Sequence, residues 1–315
     1  MTLLGREPGC AARRRWVRVV AMAAVALAAT TATGRASAYC RTTTCPTCPY
    51  DENGCPTDIP IAWPSSCVSF SMQYRASKQI DLATATDVME KAFAVWQDVS
   101  CGEGLGPPAI HVDQHFGNAS CTLHEYNQTD ANANIVMFRD DRWPYEGSTN
   151  VLGLTTVTYS RRTGAIFDVD MEINSTQRLS VEEPVPPTAY DLQSIVTHEA
   201  GHFLGLAHST VLTATMWPQY TSGTQSFRML DPDDIAGLCA VFPPDAPAKC
   251  DVTPRQGFSP ACGIFPSGDA GKCSLAGGGP GRSGTGGYRW FGLAGTLGVI
   301  GLARRRWRRD QADGR

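Results

Sequence analysis

The sequence has little net charge and no long hydrophobic run. Its 27 basic and 30 acidic residues leave a formal charge of -3 over 315 residues, so its charge gives no reason to expect a nucleic-acid partner. The apolar runs at 19–30 and 290–303 are shorter than the roughly 20 residues that a transmembrane helix needs. The apolar fraction of 42% is still enough for one core of ordinary size. The composition therefore predicts one main globular domain with appendages.

A second CxxC motif is also absent. The one present, Cys45 to Cys48, lies outside any strand–helix pattern, so it favours neither a redox site nor half of a zinc site. Twelve cysteines are many for this length, and disulfides are the default in an exported chain. Cys10 would leave with an N-terminal signal, and Cys273 is predicted to stay unpaired, with a role in processing or anchoring. The other ten would form five bridges, whose connectivity the sequence leaves open.

Both ends of the chain carry features of export. Arginines at 13–18 precede the first apolar run, and Ala36 and Ala38 follow it, which is the pattern of a cleaved signal peptide, with an uncleaved anchor as the alternative. A glycine-rich stretch, the second apolar run and the RRRWRR cluster resemble the sorting tails of bacterial surface proteins, with a GPI signal as the alternative. We therefore predict a secreted or cell-surface protein. The predicted boundaries are 1–38 for the signal peptide, 39–62 for a Cys-rich N-terminal cap, 63–243 for the main domain, 244–287 for a Cys/Gly/Pro-rich linker and 288–315 for a sorting or membrane-anchor tail.

Hydrophobic periodicity predicts an α+β fold. Five segments alternate between apolar and polar residues as half-buried strands do, and three segments carry apolar residues at helical spacing. This order predicts a twisted five-stranded mixed sheet with three helices packed on it. The predicted strands are 67–74, 109–116, 133–140, 151–160 and 165–174, and the predicted helices are 81–99, 189–207 and 231–242.

The segment HEAGHFLGLAHS packs three of the six histidines into eleven residues. His198 and His202 lie four apart, so on a helix both can hold one metal ion, and Glu199 can reach a water bound to it. His208 would lie roughly 15 Å beyond His198 on a continuous helix, whereas zinc–nitrogen bonds are about 2 Å long. It can be a third ligand only if the chain leaves the helix, and Gly205 is placed for that turn. The spacing predicts a three-histidine zinc site.

The full spacing resembles the HExxHxxGxxH motif of the metzincin clan of zinc peptidases. The serine directly after the third histidine, Ser209, resembles the one found at that place in the matrixin (matrix metalloproteinase-like) branch of the clan. Metzincins carry a methionine turn beneath the zinc, and Met216 follows His208 by eight residues, where that turn would lie. The resemblance covers about 63–242 and implies the zincin-like fold with an active-site helix that ends at a glycine turn. Together with the tail, it implies a bacterial surface or secreted type with one catalytic zinc.

Two further stretches resemble the matrixins. Pro218, Gln219 and Tyr220 match the Pro-x-Tyr segment that forms a wall of the S1′ specificity pocket. DDIAGL matches the family's last helix, which implies that Asp233 and Asp234 brace the methionine turn. By the same resemblance the main domain is a catalytic domain, whose apolar pocket favours a bulky hydrophobic residue just after the cut.

Two features of vertebrate matrixins are missing. The cysteine-switch motif PRCGxPD does not occur, so latency of that kind is unsupported. The stretch RDDRWPYEGSTN, in the place of the loop that binds a structural zinc and calcium, contains no histidine, and we expect no structural zinc of the family type. Calcium is a candidate, with Asp140, Asp141, Asp168 and Asp170 either as ligands or as solvated carboxylates.

A second group of histidines alternates along a predicted strand. His111, Asp113 and His115 are separated by single residues, so on a strand they would share one face. That face is either a second metal site or the wet side of a half-buried strand.

The resemblance implies a zinc endopeptidase that acts on protein or peptide substrates, with Glu199 as general base on a zinc-activated water. Zinc binds neutral imidazoles, so activity is expected to fall in acid. One alternative is a non-catalytic, zinc-stabilised surface module, which has no need of Glu199. Another is a zinc hydrolase of a non-peptide bond, against which the Pro-Gln-Tyr wall argues. We expect a monomer without a nucleic-acid partner, with the C-terminal tail as the candidate attachment to a membrane or cell surface.

Overall fold

The computed structural model describes residues 39–45, 48–145, 150–247 and 249–261. This part of the chain forms an α+β domain with three α-helices, as predicted. The predicted signal peptide, the predicted tail and Cys273 lie outside the described residues. No helix in the described ranges has the length and apolarity that crossing a membrane requires. The strands are β1 (Cys67–Ser69), β2 (Ser71–Met72), β3 (His111–Asp113), β4 (Ile135–Phe138), β5 (Gly153–Tyr159), β6 (Ile166–Ile173), β7 (Leu179–Ser180) and β8 (Tyr190–Asp191), and the helices are α1 (Leu82–Gln97), α2 (Leu192–Phe203) and α3 (Pro232–Val241).

A mixed sheet forms the centre of the domain. β1 pairs in parallel with β3, and β2, one residue further along the chain, pairs in parallel with β4. The N–H of Phe70 donates to Asp113 O at 2.9 Å and that of Ser71 to Asn134 O at 2.8 Å, so the chain changes partner here. β4 pairs in parallel with β6, and β5 pairs antiparallel with β6. With β1 and β2 counted as one interrupted strand, the order β3, β1/β2, β4, β6, β5 is the predicted five-stranded mixed sheet.

Helix α1 packs against helix α2 and fixes its position on the sheet. Trp96 is fully buried, and its indole Nε1 donates to Thr197 O of helix α2 at 2.8 Å. The ring of Phe93 meets that of Phe203 edge to face, with centroids 5.1 Å apart, an arrangement that aromatic pairs prefer. Helix α2 is therefore held from behind by large rigid side chains. The buried residues of helix α1 are Ala85, Val88, Met89, Ala92, Phe93 and Trp96.

Disulfides staple both the N-terminal cap and the body of the domain, as predicted for an exported chain. Two bridges lie inside the cap, and two join cysteines that are 183 and 138 residues apart. Cys121 is disulfide-bonded as well. The two cysteines of the CPTC segment bind each other, so their sulfurs are not held as thiolates for a metal. The four bridges between described residues are Cys40–Cys55, Cys45–Cys48, Cys67–Cys250 and Cys101–Cys239.

Candidate metal centre and active site

Helix α2 is fixed at its N-terminus by Asp191, which is fully buried. The carboxylate accepts hydrogen bonds from Ser194 N at 2.9 Å and Ser194 Oγ at 2.8 Å, which caps the helix. Arg228 donates to the same carboxylate from Nε at 2.8 Å and from Nη2 at 2.7 Å. Such a two-point, charge-assisted contact is strong and directional. It ties the start of the helix to the 3₁₀ turn at Ser226–Arg228.

The C-terminal end of helix α2 is a chain reversal at Gly205. This residue has φ +94°, a conformation that favours glycine, and its N–H donates to His202 O at 2.9 Å. A Cβ here would lie only 2.9 Å from Ile61 O. The predicted glycine turn after the helix is confirmed, but the helix spans Leu192–Phe203 rather than 189–207, because Tyr190 and Asp191 pair with strand β7. The reversal at Gly205 returns His208 to the helix face that carries His198.

The three histidines meet on one side of helix α2. Their ligand nitrogens lie within 4.8 Å of one another, and Nε2 of His202 lies 3.2 Å from Nε2 of His208. The ring centroid of His198 is 5.0 Å from that of His202 and 5.4 Å from that of His208. The rings therefore converge on one point.

Two of these rings are oriented by backbone carbonyls. Nδ1 of His198 lies 2.6 Å from Thr215 O, and Nδ1 of His202 lies 2.9 Å from Leu206 O. A carbonyl only accepts, so each Nδ1 carries the hydrogen and each Nε2 is left with a free lone pair. Nε2 of His198 is buried without a hydrogen-bond partner. A buried acceptor without a partner costs free energy, and a cation at the convergence point would remove that cost.

The histidines are held in the neutral form that binds metals. Burial lowers the pKa of His198 to about 3 and that of His202 to about 4. Burial, with the neighbouring imidazoles, lowers the pKa of His208 to about 2. Three neutral, convergent imidazole nitrogens are the donor set of a catalytic zinc site. The residues present therefore fit zinc.

Glu199 lies beside the histidines and is 1% exposed. Burial raises the pKa of its carboxyl to about 7, and a hydrogen bond from Thr155 Oγ1 to Oε2, at 2.6 Å, opposes that rise. Thr155 belongs to strand β5, so the sheet holds the carboxylate next to the metal-binding face of the helix. A carboxyl group with a pKa near 7 can exchange a proton at neutral pH.

Met216 packs closely against Gly201 of the helix that carries His198 and His202. It is 2% exposed, and its O accepts from Ser209 N at 2.9 Å. A Cβ on Gly201 would collide with Met216 Sδ and would lie 2.9 Å from Trp96 Cζ2. Only a glycine at this position of helix α2 lets the methionine pack so closely.

The two aspartates at the start of helix α3 bind this turn. Asp234 accepts from Met216 N at 3.0 Å, from Thr215 N at 2.7 Å and from Asp231 N at 2.9 Å. Asp233 accepts from Ser209 Oγ at 2.6 Å. The carbonyl of Thr215 orients His198 and belongs to the same peptide unit as Met216 N. By binding Met216 N, the carboxylate of Asp234 therefore restrains the carbonyl that orients this metal ligand.

A cavity of about 400 Å³ opens beside Glu199. Its volume is within the range of ligand pockets. The Pro-Gln-Tyr segment forms part of its wall, and Phe227 closes another side, with its ring stacked on that of His198 at 5.8 Å between centroids. The cavity is lined by Asn150, Val151, Leu152, Tyr190, Ile195, His198, Glu199, Trp217, Pro218, Gln219, Tyr220 and Phe227.

The part of the chain that carries the metal centre matches a known protein family. The family model described as Peptidase_M10: Matrixin matches residues 62–243, more than half of the chain. The chain belongs to the matrixin family. Membership implies zinc as the metal of the histidine cluster. The N-terminal cap lies almost entirely before the matched segment of this matrixin.

Individual relatives come from a plant, a bacterium and a mammal. Metalloendoproteinase 4-MMP of Arabidopsis thaliana is 30% identical over 112 residues, which cover 36% of this chain and 32% of the relative. Karilysin of Tannerella forsythia is 26% identical over 172 residues, covering 54% and 31%. Interstitial collagenase A of Mus musculus is 28% identical over 163 residues, covering 51% and 29%. The chain spans about a third of the length of these relatives. The bacterial type of this matrixin stays a prediction.

Several residues of the site were not among those predicted from the sequence. Asp191 could have been found, because an aspartate just before a helical pattern is an N-cap signal. Thr155, Phe227 and Arg228 left no signal, since each reaches the site from another element through tertiary packing.

The expectation for the acidic residues was wrong in part. Asp168 and Asp170 are buried rather than solvated, each 2% exposed, because strand β6 is covered by the segment that precedes strand β4. Asp170 accepts from Glu125 N at 2.8 Å. Asp140 instead accepts from Ser77 Oγ at 2.7 Å, and the carboxylate of Asp141 is 88% exposed. In the described ranges none of them belongs to a cluster with metal-ligand spacing, and calcium stays a prediction.

In the second histidine group only His111 and Asp113 share a face of a strand, and this is the wet side of a half-buried strand, one of the two predicted alternatives. Strand β3 ends at Asp113, so His115 lies beyond it. Nε2 of His111, an exposed residue, lies 3.5 Å from Asp113 Oδ2. Within the described residues the three are not grouped at metal-ligand spacing.

Proposed function

We propose that this matrixin is an exported zinc endopeptidase that cleaves protein or peptide substrates, with Glu199 as general base. The observation that carries the proposal is the convergence of three neutral imidazole nitrogens, one of them buried without a partner, beside a buried carboxyl group at the edge of a cavity. Metal, base and substrate pocket are the three parts that hydrolysis requires.

Zinc would be held by Nε2 of His198, His202 and His208. When bound there, zinc would supply Lewis-acid chemistry, which lowers the pKa of water and polarises a peptide carbonyl. The Nδ1–carbonyl bonds of His198 and His202 keep the rings in one tautomer and one orientation, as outer-shell partners do in zinc sites. Because the ligands must be neutral, activity is expected to fall in acid.

Glu199 would accept a proton from the attacking water and return it to the leaving amine. Thr155 supports this role, because its hydroxyl holds one carboxylate oxygen and leaves the other free. The buried position of Glu199 keeps bulk water away from the proton being transferred.

The cavity would receive the side chain that follows the cut bond. Its apolar walls, among them Ile195, Tyr220 and Phe227, favour a bulky hydrophobic residue, since burial of apolar surface is the main source of affinity in such a pocket. Pro218 and Gln219 would form the wall along which the substrate lies.

The remaining predicted residues would support the metal centre. Met216 would be the packed floor beneath it, Gly205 would allow the turn to His208, and Ser209 would join that turn to helix α3 through Asp233. Asp234 would hold the methionine turn itself.

Export is part of the proposal. The disulfides support it, because such bridges persist in oxidising compartments. We propose a secreted or cell-surface monomer, without a nucleic-acid partner, attached if at all through residues 288–315. The proposed divisions are a signal peptide at 1–38, the cap at 39–62, the catalytic domain at 63–243 and the linker at 244–287.

The test uses purified full-length protein and a Glu199→Gln variant, assayed on casein or gelatin with zinc content measured in parallel. Glutamine keeps the size of the side chain but cannot act as a base. We expect a loss of about 10²- to 10⁴-fold in cleavage rate with zinc retained.

Glu90→Gln is the matched control, because Glu90 is an exposed carboxylate on helix α1, and it should leave cleavage unchanged. If wild type and Glu199→Gln cleave equally, Glu199 is not the base. If the wild type binds zinc but cleaves no peptide bond, a structural zinc module replaces the peptidase.

A further inference from the structure

A strand-like segment of the N-terminal cap pairs with the turn that carries the third histidine. Thr42 N donates to Gly205 O at 3.0 Å, and Ala207 N donates to Cys40 O at 2.9 Å. Between them Arg41 and Leu206 form an antiparallel bridge. The paired residues 205–207 come directly before His208. The cap therefore contacts the peptide that delivers a metal ligand.

The carbonyl of Leu206 is the point where the cap and the metal centre meet. It accepts from Nδ1 of His202 at 2.9 Å and from Oγ1 of Thr42 at 3.1 Å. A carbonyl oxygen has two lone pairs, so it can serve both donors at once. The hydroxyl of Thr42 thus restrains the acceptor that sets the direction of the His202 ring.

The cap segment is itself held firmly. Cys40 is bridged to Cys55, Ile61 N donates to Thr42 O at 2.9 Å, and Nη2 of Arg41 donates to Ile61 O at 3.1 Å. Ile61 also lies against the tight turn at Gly205. The segment is therefore fixed on both edges, which is what a positioning element requires.

We propose that Thr42 is a positioning residue of the metal centre, which it stabilises through Leu206 O and His202. The proposal rests on the proposed zinc site. Mutation of an outer-shell partner of a zinc ligand typically weakens metal binding 10- to 100-fold. Thr42 acts one bond further out, and the carbonyl remains when the hydroxyl is removed. The expected effect is therefore smaller, about 3- to 10-fold in the zinc dissociation constant.

The experiment measures zinc dissociation constants of full-length protein by competition with a chelator of known affinity. Thr42→Val removes the hydroxyl and keeps the shape of the side chain, and it should weaken zinc binding about 3- to 10-fold. Thr42→Ser restores the hydroxyl and should bind zinc within about 2-fold of wild type. The matched control is Thr57→Val, because the hydroxyl of Thr57 donates to Pro49 O at 2.7 Å inside the same cap; it should leave zinc binding unchanged.

Each outcome either supports or overturns the proposed role of Thr42. Weakening by Thr42→Val alone, with rescue by serine, supports the proposal. Equal zinc affinity in wild type and Thr42→Val overturns it, as does equal weakening by Thr42→Ser or by Thr57→Val, which would point to general loosening of the cap. A wild type that binds no zinc overturns the proposed function first and this inference with it, so the two failures are distinguishable.

Discussion

His198 and His202 lie one turn apart on the same helix, and each is directed by a backbone carbonyl, yet those carbonyls are held by different parts of the chain. Thr215 O, which directs His198, belongs to a turn whose N–H groups bind Asp234. Leu206 O, which directs His202, is restrained from the cap by Thr42. One ligand is supported from inside the family domain and the other from a segment before it.

The two supports differ in strength. Asp234 is a buried carboxylate that accepts three backbone hydrogen bonds, and bonds to charged groups are the stronger kind. The cap contributes a neutral hydroxyl and two backbone bonds. The difference suggests that the His198 side of the centre is the rigid one, whereas the His202 side depends on how well the cap is seated.

Loss of Asp234 should have the largest effect on this comparison. Asp234→Ala leaves the buried N–H groups of Thr215 and Met216 without an acceptor, at about 1–3 kcal/mol each, so we expect the free energy of unfolding to fall by at least about 2 kcal/mol. Denaturant unfolding of metal-free protein measures it. Asp234→Asn keeps one acceptor oxygen and should fall in between; equal stability of all three proteins would mean that Asp234 does not hold the turn.

Gly201→Ala tests the His198 side of the centre by disturbing its packing. The added methyl group meets Met216 Sδ and Trp96 Cζ2, and overpacking of a buried site costs about 1–3 kcal/mol. We expect a loss of about 2 kcal/mol in unfolding free energy and weaker zinc binding, because Met216 must move away from the helix. A variant as stable as wild type, with normal zinc affinity, would show that the methionine turn can shift freely.

Gly205→Ala is the corresponding test on the cap side. Its φ of +94° is unfavourable for alanine, and strain of this kind costs about 1–3 kcal/mol. The methyl group would also press on Ile61 O of the cap. We expect a loss of about 1–2 kcal/mol in stability, with faster proteolysis of residues 39–62 than in Gly201→Ala. If the cap is equally protected in both variants, the two sides are not independent.

The pH dependence of stability offers the finest comparison. The pKa values of His198 and His202 are lowered from 6.5 to about 3 and about 4, so between pH 4 and 6.5 each of these two imidazoles binds a proton in the unfolded chain but not in the folded chain. By linkage, the stability that these two groups contribute to the metal-free protein is fully present above pH 6.5 and is lost as the pH falls through that window.

Replacing either histidine by glutamine removes one proton from this difference. The slope of unfolding free energy against pH should therefore decrease by up to about 1.4 kcal/mol per pH unit in each variant. Unfolding curves at pH 5.0, 5.5 and 6.0 measure it. A slope that does not change in His202→Gln would mean that the cap side already admits water and protons.

Most of the metal centre could be predicted from the sequence, but few of the contacts that hold it in place could. The three histidines could be predicted because helix geometry and the length of a zinc–nitrogen bond allow few arrangements, and the glycine turn followed from that constraint. The bond from Thr42 to Leu206 joins residues 164 apart, and the bond from Thr155 to Glu199 joins residues 44 apart. Such contacts depend on how elements pack, which no local pattern records.

The strands show the same limit. Strands β1 to β6 lie within the five segments predicted from alternation, but β7 and β8 were not predicted, and β8 lies within the predicted helix 189–207. The pairing of β7 with β8, like the change of partner at Phe70, depends on which segments pack beside each other. The burial of Asp170 could not be predicted for the same reason, because the N–H groups that bind its carboxylate belong to Glu125 and Ile135, which lie 45 and 35 residues earlier in the chain.

The bridge between Cys67 and Cys250 encloses the 182 residues between them, the histidine cluster included, in one covalent ring. In the unfolded chain the same bridge keeps this ring closed, so the unfolded chain has fewer conformations than an open chain of the same length. That loss of unfolded-state entropy favours the folded domain, and the histidine cluster lies within the part of the chain that the bridge encloses.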